Sequence, residues 1–382
     1  LHPWVALDGT NYLGVGTNLK YFINEGTQYY DITPIRLTTG AGDVVFGTGA
    51  DTIDGVLAIN AISVLLDSVT GFPASGRIKI GSEEMTYAAI DTKTLTGLAR
   101  GLNGTTKAQH ADGAAVTCAT ITVTDTNHGA LNNDFVTFAG AAPLGSGGVI
   151  TAAVLNQEYE ITAIVSDNAY QIEARTVSTI ASITTTDGLN PTFVFANASD
   201  SGNGGGSIVG AYQINTGIDT TISGNGWGAG NWGGKGAGGT SGTSGNISGW
   251  GDGSDLTASG QTLRIWSHDN FGEDLVINVR DAGLFYWDKS AALGVNARAV
   301  SLSSLAGANK VPTIAKQVIV SDKDRHVIAF GCDAENSTTQ DPLLIRFSDQ
   351  ENIVQWQSLV TNTAGDLRIG SGSKIITAVE TR

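Results

Sequence analysis

The densest run of groups able to do chemistry is Ser267-His268-Asp269-Asn270-Phe271-Gly272-Glu273-Asp274. It places the carboxylates of Asp269, Glu273 and Asp274 within one short turn. Hard cations take oxygen ligands, so the three could hold Ca²⁺ weakly, although the spacing is not that of an EF-hand loop. Ser and Asp side chains also bond the backbone of the turns they sit in. The run therefore reads either as a weak Ca²⁺ site or as a structural turn. Further on, Asp349 and Glu351 precede Trp356 and could mimic a sugar site. The separation that defines a glycosidase pair is spatial, and a turn followed by a packed aromatic is the simpler reading.

Other chemical signals are weak. His2, His110, His128, His268 and His326 lie in separate segments without ligand spacing, which suits structural or surface roles. There is no G-x-x-x-x-G-K-[ST], no H-E-x-x-H and no G-x-S-x-G. No catalytic residue is assigned, no cofactor is expected, and the chain reads as a non-enzyme. Cys118 and Cys332 stand far apart. They allow one long-range disulfide, but the lack of a dense Cys pattern favours two buried free thiols.

The elements that must position these groups read as strands. The 382 residues include 51 Gly and 7 Pro, and only 15% are charged. Gly supplies positive φ for turns and the abundant β-branched residues fit pleated surfaces, so an all-β fold is expected. The net charge of −15 argues against ordinary nucleic-acid binding, which needs phosphate-neutralising Lys and Arg. It is compatible with a channel through which DNA slides without sticking, and with the plainer role of keeping the protein soluble. No run reaches the ~18–20 apolar residues of a membrane span, and no signal peptide is visible. The chain opens on Leu1 and closes after the strand-like KIITAVETR. It is expected to be an N-terminal part of a longer protein.

Strands recur with a period of about 50 residues near the C-terminus. Leu263-Arg264-Ile265-Trp266 is answered by Gln317-Val318-Ile319-Val320 and then by Asp366-Leu367-Arg368-Ile369. A similar four-strand phrase opens the chain, with turns at Asp8-Gly9, Thr17-Asn18 and Glu25-Gly26. Three or four strands per repeat is the pattern of β-propeller blades. The expected architecture is a first blade over 1–36, an inserted β-module over 37–118 and a second over 119–197, both small sandwiches or barrels. A Gly/Trp-rich loop follows over 198–253, and further blades over 254–382. In the loop, Trp227, Trp232 and Trp250 are expected to dock on the protein itself or on a neighbouring subunit.

The runs SHDNFGEDLVINVRDAGLFYWD, VSDKDRHVIAFGCD and DPLLIRFSDQENIVQWQSLVTNTAGDLRIGSGSKIITAVETR resemble the core of short-tailed (podovirus-type) phage tail proteins. These are nozzle, tail-tube or packaged-DNA stabilisation proteins. GWGAGNWGG is similar to the phrase that precedes that core. GFPASGRIKIGSEEMTYAAI with LTGLARGLNGTT, and ITVTDTNHGALNNDFVTFAGA, resemble small β-domains inserted into phage structural proteins. The Ser267–Asp274 run looks like the Asp-box turn of sialidase-type propellers, with its Gly displaced and Leu275 in place of the closing aromatic. That box is a fold element. The resemblance implies a homo-hexameric ring in the virion tail, docked to the head-to-tail connector or adaptor proteins. It would surround a DNA channel without sequence-specific contact and serve DNA retention, ejection and tail assembly. Tail fibres or spikes are further implied partners, and no catalytic residues transfer. A second reading is a glycan-binding or glycan-cleaving receptor-binding tail protein or surface adhesin, with Trp266, Trp287 and Trp356 as sugar platforms. A secreted propeller adhesin is a third.

Overall fold

A computed structural model describes residues 1–176, 192–216 and 265–380. The fold is all-β, with one α-helical turn at Ala152–Leu155 and two 3-10 turns, Gly294–Asn296 and Leu302–Ser304, among the described residues. It forms two compact units, one from Leu1–Pro34 with Thr216–Arg382, the other from Ile35–Asn215.

The chain begins with a four-stranded antiparallel meander: β1 (His2–Val5), β2 (Asn11–Gly16), β3 (Tyr21–Glu25) and β4 (Gln28–Asp31). Its turns are those the sequence marks. Gly9 (φ +83°) and Gly26 (φ +64°) take the left-handed backbone that other residues resist. At the middle turn the Thr17 hydroxyl accepts from the Lys20 amide at 2.9 Å.

The second unit follows. β5 (Ile35–Thr38) and β6 (Val45–Gly47) precede a small module of β7 (Ala50–Thr52), β8 (Ser63–Leu65), β9 (Gly76–Ile80), β10 (Glu83–Tyr87), β11 (Ala89–Asp91), β12 (Thr94–Thr96), β13 (Ala99–Arg100) and β14 (Ala115–Cys118). Its sheets, β13-β10-β9-β14-β7 and β11-β12-β8, close on a core that includes Ile78, Ile80, Met85 and Val116. Then come β15 (Thr120–Thr124), β16 (Phe135–Ala139), β17 (Glu158–Glu160), β18 (Ala163–Ser166), β19 (Ala169–Glu173) and β20 (Val209–Gln213). They form the sheets β18-β19-β15-β6 and β17-β16-β20-β5 over a core that includes Phe46, Phe138, Tyr170 and Tyr212.

Three expectations change here. The boundaries at 36/37 and 197/198 do not hold, because β5 straddles the first and β5, β6 and β20 complete the second module from outside its expected span, whereas 118/119 falls between β14 and β15, which lie in different sheets. β20, read as part of the Gly/Trp-rich loop, is an interior strand paired with β16 and β5. Gly210 and Tyr212 are buried on one side of the pleat, with Val209 and Ala211 half-buried on the other, and Gln213 is buried at its end. The run expected as one strand over Glu158–Val165 breaks at Ile161-Thr162, which carries the chain from one sheet to the other.

The first unit resumes with two more four-stranded meanders. One is β21 (Trp266–Phe271), β22 (Asp274–Val279), β23 (Leu284–Trp287) and β24 (Val300–Ser301). The other is β25 (Gln317–Val320), β26 (Val327–Phe330), β27 (Leu344–Phe347) and β28 (Gly365–Arg368). The repeat is therefore real, but its phase differs from the expected one. The strand expected at Leu263–Trp266 lies at Trp266–Phe271, residues 263 and 264 falling outside the described set. Asp366–Ile369 was expected to open a third repeat. It instead falls in β28, the fourth strand of the third meander, with Leu367 opposite Ile345.

Alternation gives the middle meander two working faces. Trp266, His268 and Trp287 look toward the first meander, where Trp287 meets Trp4 and Tyr12 edge-on at 6.4 and 6.0 Å between ring centroids. Val276, Leu284, Phe271 and Tyr286 look the other way and pack with Val318, Val327 and Leu344 of the third. The three meanders are stacked face on face. Gly16 of β2 makes the first contact possible, since a Cβ there would lie 2.5 Å from Trp266 Cδ1; at Gly14 a Cβ would lie 2.4 Å from Oη of Tyr21, in the same meander, whose ring meets Trp266 and His268. We predict that Gly16→Ala destabilises the first unit by about 1–3 kcal/mol through overpacking, read as an earlier urea midpoint by tryptophan fluorescence. An unchanged midpoint would show that this seam is loose.

Candidate functional site

The run singled out by the sequence forms the β21–β22 hairpin, Phe271 facing Asp274 across a two-residue turn. Gly272, at φ +73°, takes the first central position, as a type II′ turn requires. The three carboxylates do not converge. Asp269 Oδ2 accepts the Val320 amide at 2.9 Å, and Ser267 Oγ accepts the Val318 amide at 3.0 Å. These bonds satisfy the edge of β25 that faces away from β26. Glu273 Oε1 accepts from the Leu7 amide at 2.7 Å and from Lys289 Nζ at 2.8 Å. Lys289 also reaches Asp8 Oδ2 at 2.9 Å. The lysine hydrogen bond, helped by the Leu7 amide, holds Glu273 below its usual range, and the same lysine does so for Asp8. Asp274 accepts from the Tyr286 hydroxyl and, at 3.0 Å, from the Lys289 amide. The geometry is that of the structural turn. Among the described residues no group of three or more His, Cys, Asp or Glu side chains is placed to hold a metal ion.

The tryptophans divide. Trp227, Trp232 and Trp250 lie outside the described residues. Trp287 and Trp356 are buried and so cannot serve as open sugar platforms. The half-buried Trp266 donates its indole N–H to the Thr17 carbonyl at 2.7 Å. Asp349 caps a loop through the Thr363 hydroxyl and amide, at 2.7 and 2.9 Å, instead of pairing with Glu351. Cys118 and Cys332 are both buried and free, and burial pushes each thiol up to about 12.

Two polar clusters had no signal in the residue spacing. In the small module, Glu83 is fully buried at the turn into β10. It takes a bidentate bond from Arg100 (Nε 2.9 Å, Nη2 2.7 Å), the Ala108 amide at 3.0 Å and a bond with His110 Nε2 at 2.8 Å. Burial alone would raise its pKa, but these partners outweigh it and bring the carboxyl down to about 2. In the larger module, Asp125 accepts the Tyr212 hydroxyl at 2.6 Å, and Tyr212 meets Tyr170 at 2.7 Å. Burial pushes Asp125 up, the Tyr212 bond opposing it. A shallow cleft of ≈ 400 Å³ opens beside it, lined by Thr38, Asp43, Asp125 and Asn127 among others. His128, next to this cluster, is buried with Nδ1 accepting the Ala130 amide at 3.0 Å and Nε2 facing the Ser166 carbonyl at 3.1 Å.

The seam between the first two meanders holds the other titratable group of interest. His268 sits 4.9 Å from His2 and 5.5 Å from Tyr21, centroid to centroid. Its Nδ1 is shut off from solvent without a hydrogen-bond partner. Burial, then the neighbouring His2, push it down to about 4.

No family model matches the chain, and no curated protein sequence matches it. Among solved structures it is similar to the phage phi92 endosialidase, with 10% identity and a TM-score of 0.16. The alignment takes in 97% of this chain and 46% of that one, so the chain spans less than half the length of that protein. A likeness of this size is too slight to assign a shared fold.

Two predictions follow from the buried charges. Removing one partner of a buried pair strands the other, so Glu83→Gln should cost about 3–5 kcal/mol of protection at the β9–β10 amides in hydrogen exchange. Because the carboxyl is depressed in the folded state, this contribution is present above pH ~4.3 and fades as pH falls towards 2. Wild-type and Glu83→Gln protection should therefore converge in acid, and a constant gap would refute the assignment. His268 is a base with a lowered folded pKa, so its neutral form supports the seam above pH ~6.5, and that support is lost as pH falls through 4. His268→Phe should flatten the pH dependence of the seam's tryptophan fluorescence between pH 6.5 and 4. A variant that tracks the wild type would show that another group controls it.

Proposed function

We propose that the chain is a structural subunit of a bacteriophage tail, of the nozzle or tail-tube kind, and that its meanders are blades of a β-propeller. The observation that carries this reading is the repetition of one four-stranded meander, stacked face on face, with unrelated β-modules inserted after the first. Blades bury their faces only against other blades. The resemblance of the repeat segments to short-tailed phage tail proteins supplies the role: a homo-hexameric ring around a DNA channel, between the head-to-tail connector and the tail fibres or spikes. The net charge of −15 supports passage of DNA without retention on the wall. The serine and carboxylates of the β21–β22 hairpin are taken up by strand amides, Lys289 and Tyr286.

Electron microscopy of the purified protein should show rings with an open centre and six-fold symmetry. A reducing-sugar assay and a glycan array should both be blank. Sugar release, or specific glycan capture, would overturn this reading in favour of a receptor-binding tail protein.

A further inference from the structure

The seam between the first two meanders is bonded at its rim and unpaired inside. Seven buried side-chain atoms lack a hydrogen-bond partner among the described residues, and four of them lie here: Trp4 Nε1, Tyr21 Oη, Trp287 Nε1 and His268 Nδ1. They belong to the rings that the two meanders turn toward each other. A buried polar group without a partner forfeits its hydration and gains no bond in return. The closed seam therefore rests on the fit of its rings, and opening it returns four polar atoms to water. The rim bonds run from the Leu7 amide to Glu273, from Lys289 to Glu273 and Asp8, from the Trp266 indole to the Thr17 carbonyl, and from the Ala299 amide to the Ile32 carbonyl at 3.0 Å. Lys289 holds Glu273 and Asp8 below their usual range, so both keep their charge in mild acid.

The surroundings of His268 are of another kind. From β1 it meets His2, ring to ring at 4.9 Å, and from β3 it meets Tyr21 at 5.5 Å. The amino group of Leu1 is near enough to oppose a positive charge on the ring. On its own meander, Trp266 and Asn270 flank it along β21 and Ile277 lies opposite in β22. Asp269, next in the chain, points to the other face, where it accepts the Val320 amide. Among the described residues no carboxylate is paired with this ring, and the neighbours that act on it, His2 and the Leu1 amine, oppose its protonation. His110 in the small module is the contrast. Its Nε2 meets the buried Glu83 at 2.8 Å, so a proton there finds a negative partner.

We propose that this seam is an acid-opened latch, which holds the first meander on the second while His268 is neutral and releases it when His268 takes up a proton. A charge on the ring would stand in the seam beside a second imidazole, with no anion to answer it. Burial, then His2, keep the closed form's pKa below the usual histidine range. The neutral form's support is therefore complete above pH ~6.5 and is lost as pH falls towards 4. Release concerns the first meander alone. Residues 35–215 separate it from the second in sequence, so no short loop ties the two. The second and third meanders share an apolar cluster that contains no histidine, reinforced by the Ser267 and Asp269 bonds to β25. The latch rests on the seam alone and stands whether or not the tail reading is right.

The test is segment-resolved hydrogen exchange of the whole chain between pH ~7 and ~4.5, corrected for the intrinsic pH dependence of amide exchange. On acidification the β2 and β3 amides should lose protection by on the order of 10-fold or more. The β26 and β27 amides of the third meander, and the β9 and β10 amides of the small module, should hold theirs over the same range. His268→Phe, neutral at every pH, should abolish the loss at β2 and β3, and His268→Gln serves the same purpose if the phenyl ring does not fit. Undiminished protection of β2 and β3 in the wild type, an equal loss in all three meanders, or a loss that persists without His268 would each overturn the proposal. These readouts do not depend on the rings or the glycan assays that test the tail reading.

Discussion

The whole of the first unit depends on one constraint: a four-stranded meander with two apolar faces cannot bury both by itself. The middle meander shows the constraint met. β22 is buried at five consecutive positions, Leu275 to Val279, because both sides of its pleat meet protein. β25, β26 and β27 alternate buried and half-buried residues, because among the described residues only one of their faces packs against another meander. A strand's burial pattern therefore reports its place in the stack. Edge-on aromatic contacts such as Trp287 with Tyr12 add about 0.5–1.5 kcal/mol each beyond the area they bury.

Apolar faces alone would let meanders slide, and side-chain polar groups fix the register. Asn278 is fully buried on the middle meander, with its amide turned to the carbonyls of Ala282, Gly283 and Ala315. Its Oδ1 accepts from Ser267, whose oxygen in turn accepts the Val318 amide. Asp269 repeats the contact at Val320. This short network runs from the middle meander to the edge of the next, and a slip of one residue would leave buried groups unmatched. Carboxylate and hydroxyl in the run that looked most like chemistry are spent on alignment. A cation at Glu273 would first have to displace Lys289.

Much of this was legible from turns and alternation. The first meander's strands and turns follow the Gly and Thr positions, and β9, β10, β15 and β16 follow their alternation. What escaped was long-range. β20 sits in a Gly-rich stretch, and its interior place depends on pairing with β5, far back in the chain. The fourth strand of the third meander looked like the start of another repeat because period counting does not see pairing. Glu83, Arg100 and His110 carry no recognisable spacing, and only the fold of β10 against β13 brings the first two together. The burial of Trp287 and Trp356 likewise depends on which faces are stacked.

The same pairings explain how a repeat tolerates so long an interruption. The chain enters the larger module on β5 and leaves it on β20, and these two strands are antiparallel neighbours, Thr38 opposite Ala211. It enters the smaller module on β7 and leaves on β14, again an antiparallel pair, Thr52 opposite Ala115. Each insertion thus starts and ends about one strand spacing apart. A loop whose ends already lie side by side can be replaced by a folded module at little entropic cost, since closure grows only slowly with loop length. Nested insertion is then a consequence of hairpin geometry. The stack of meanders keeps its own contacts regardless of what its loops carry.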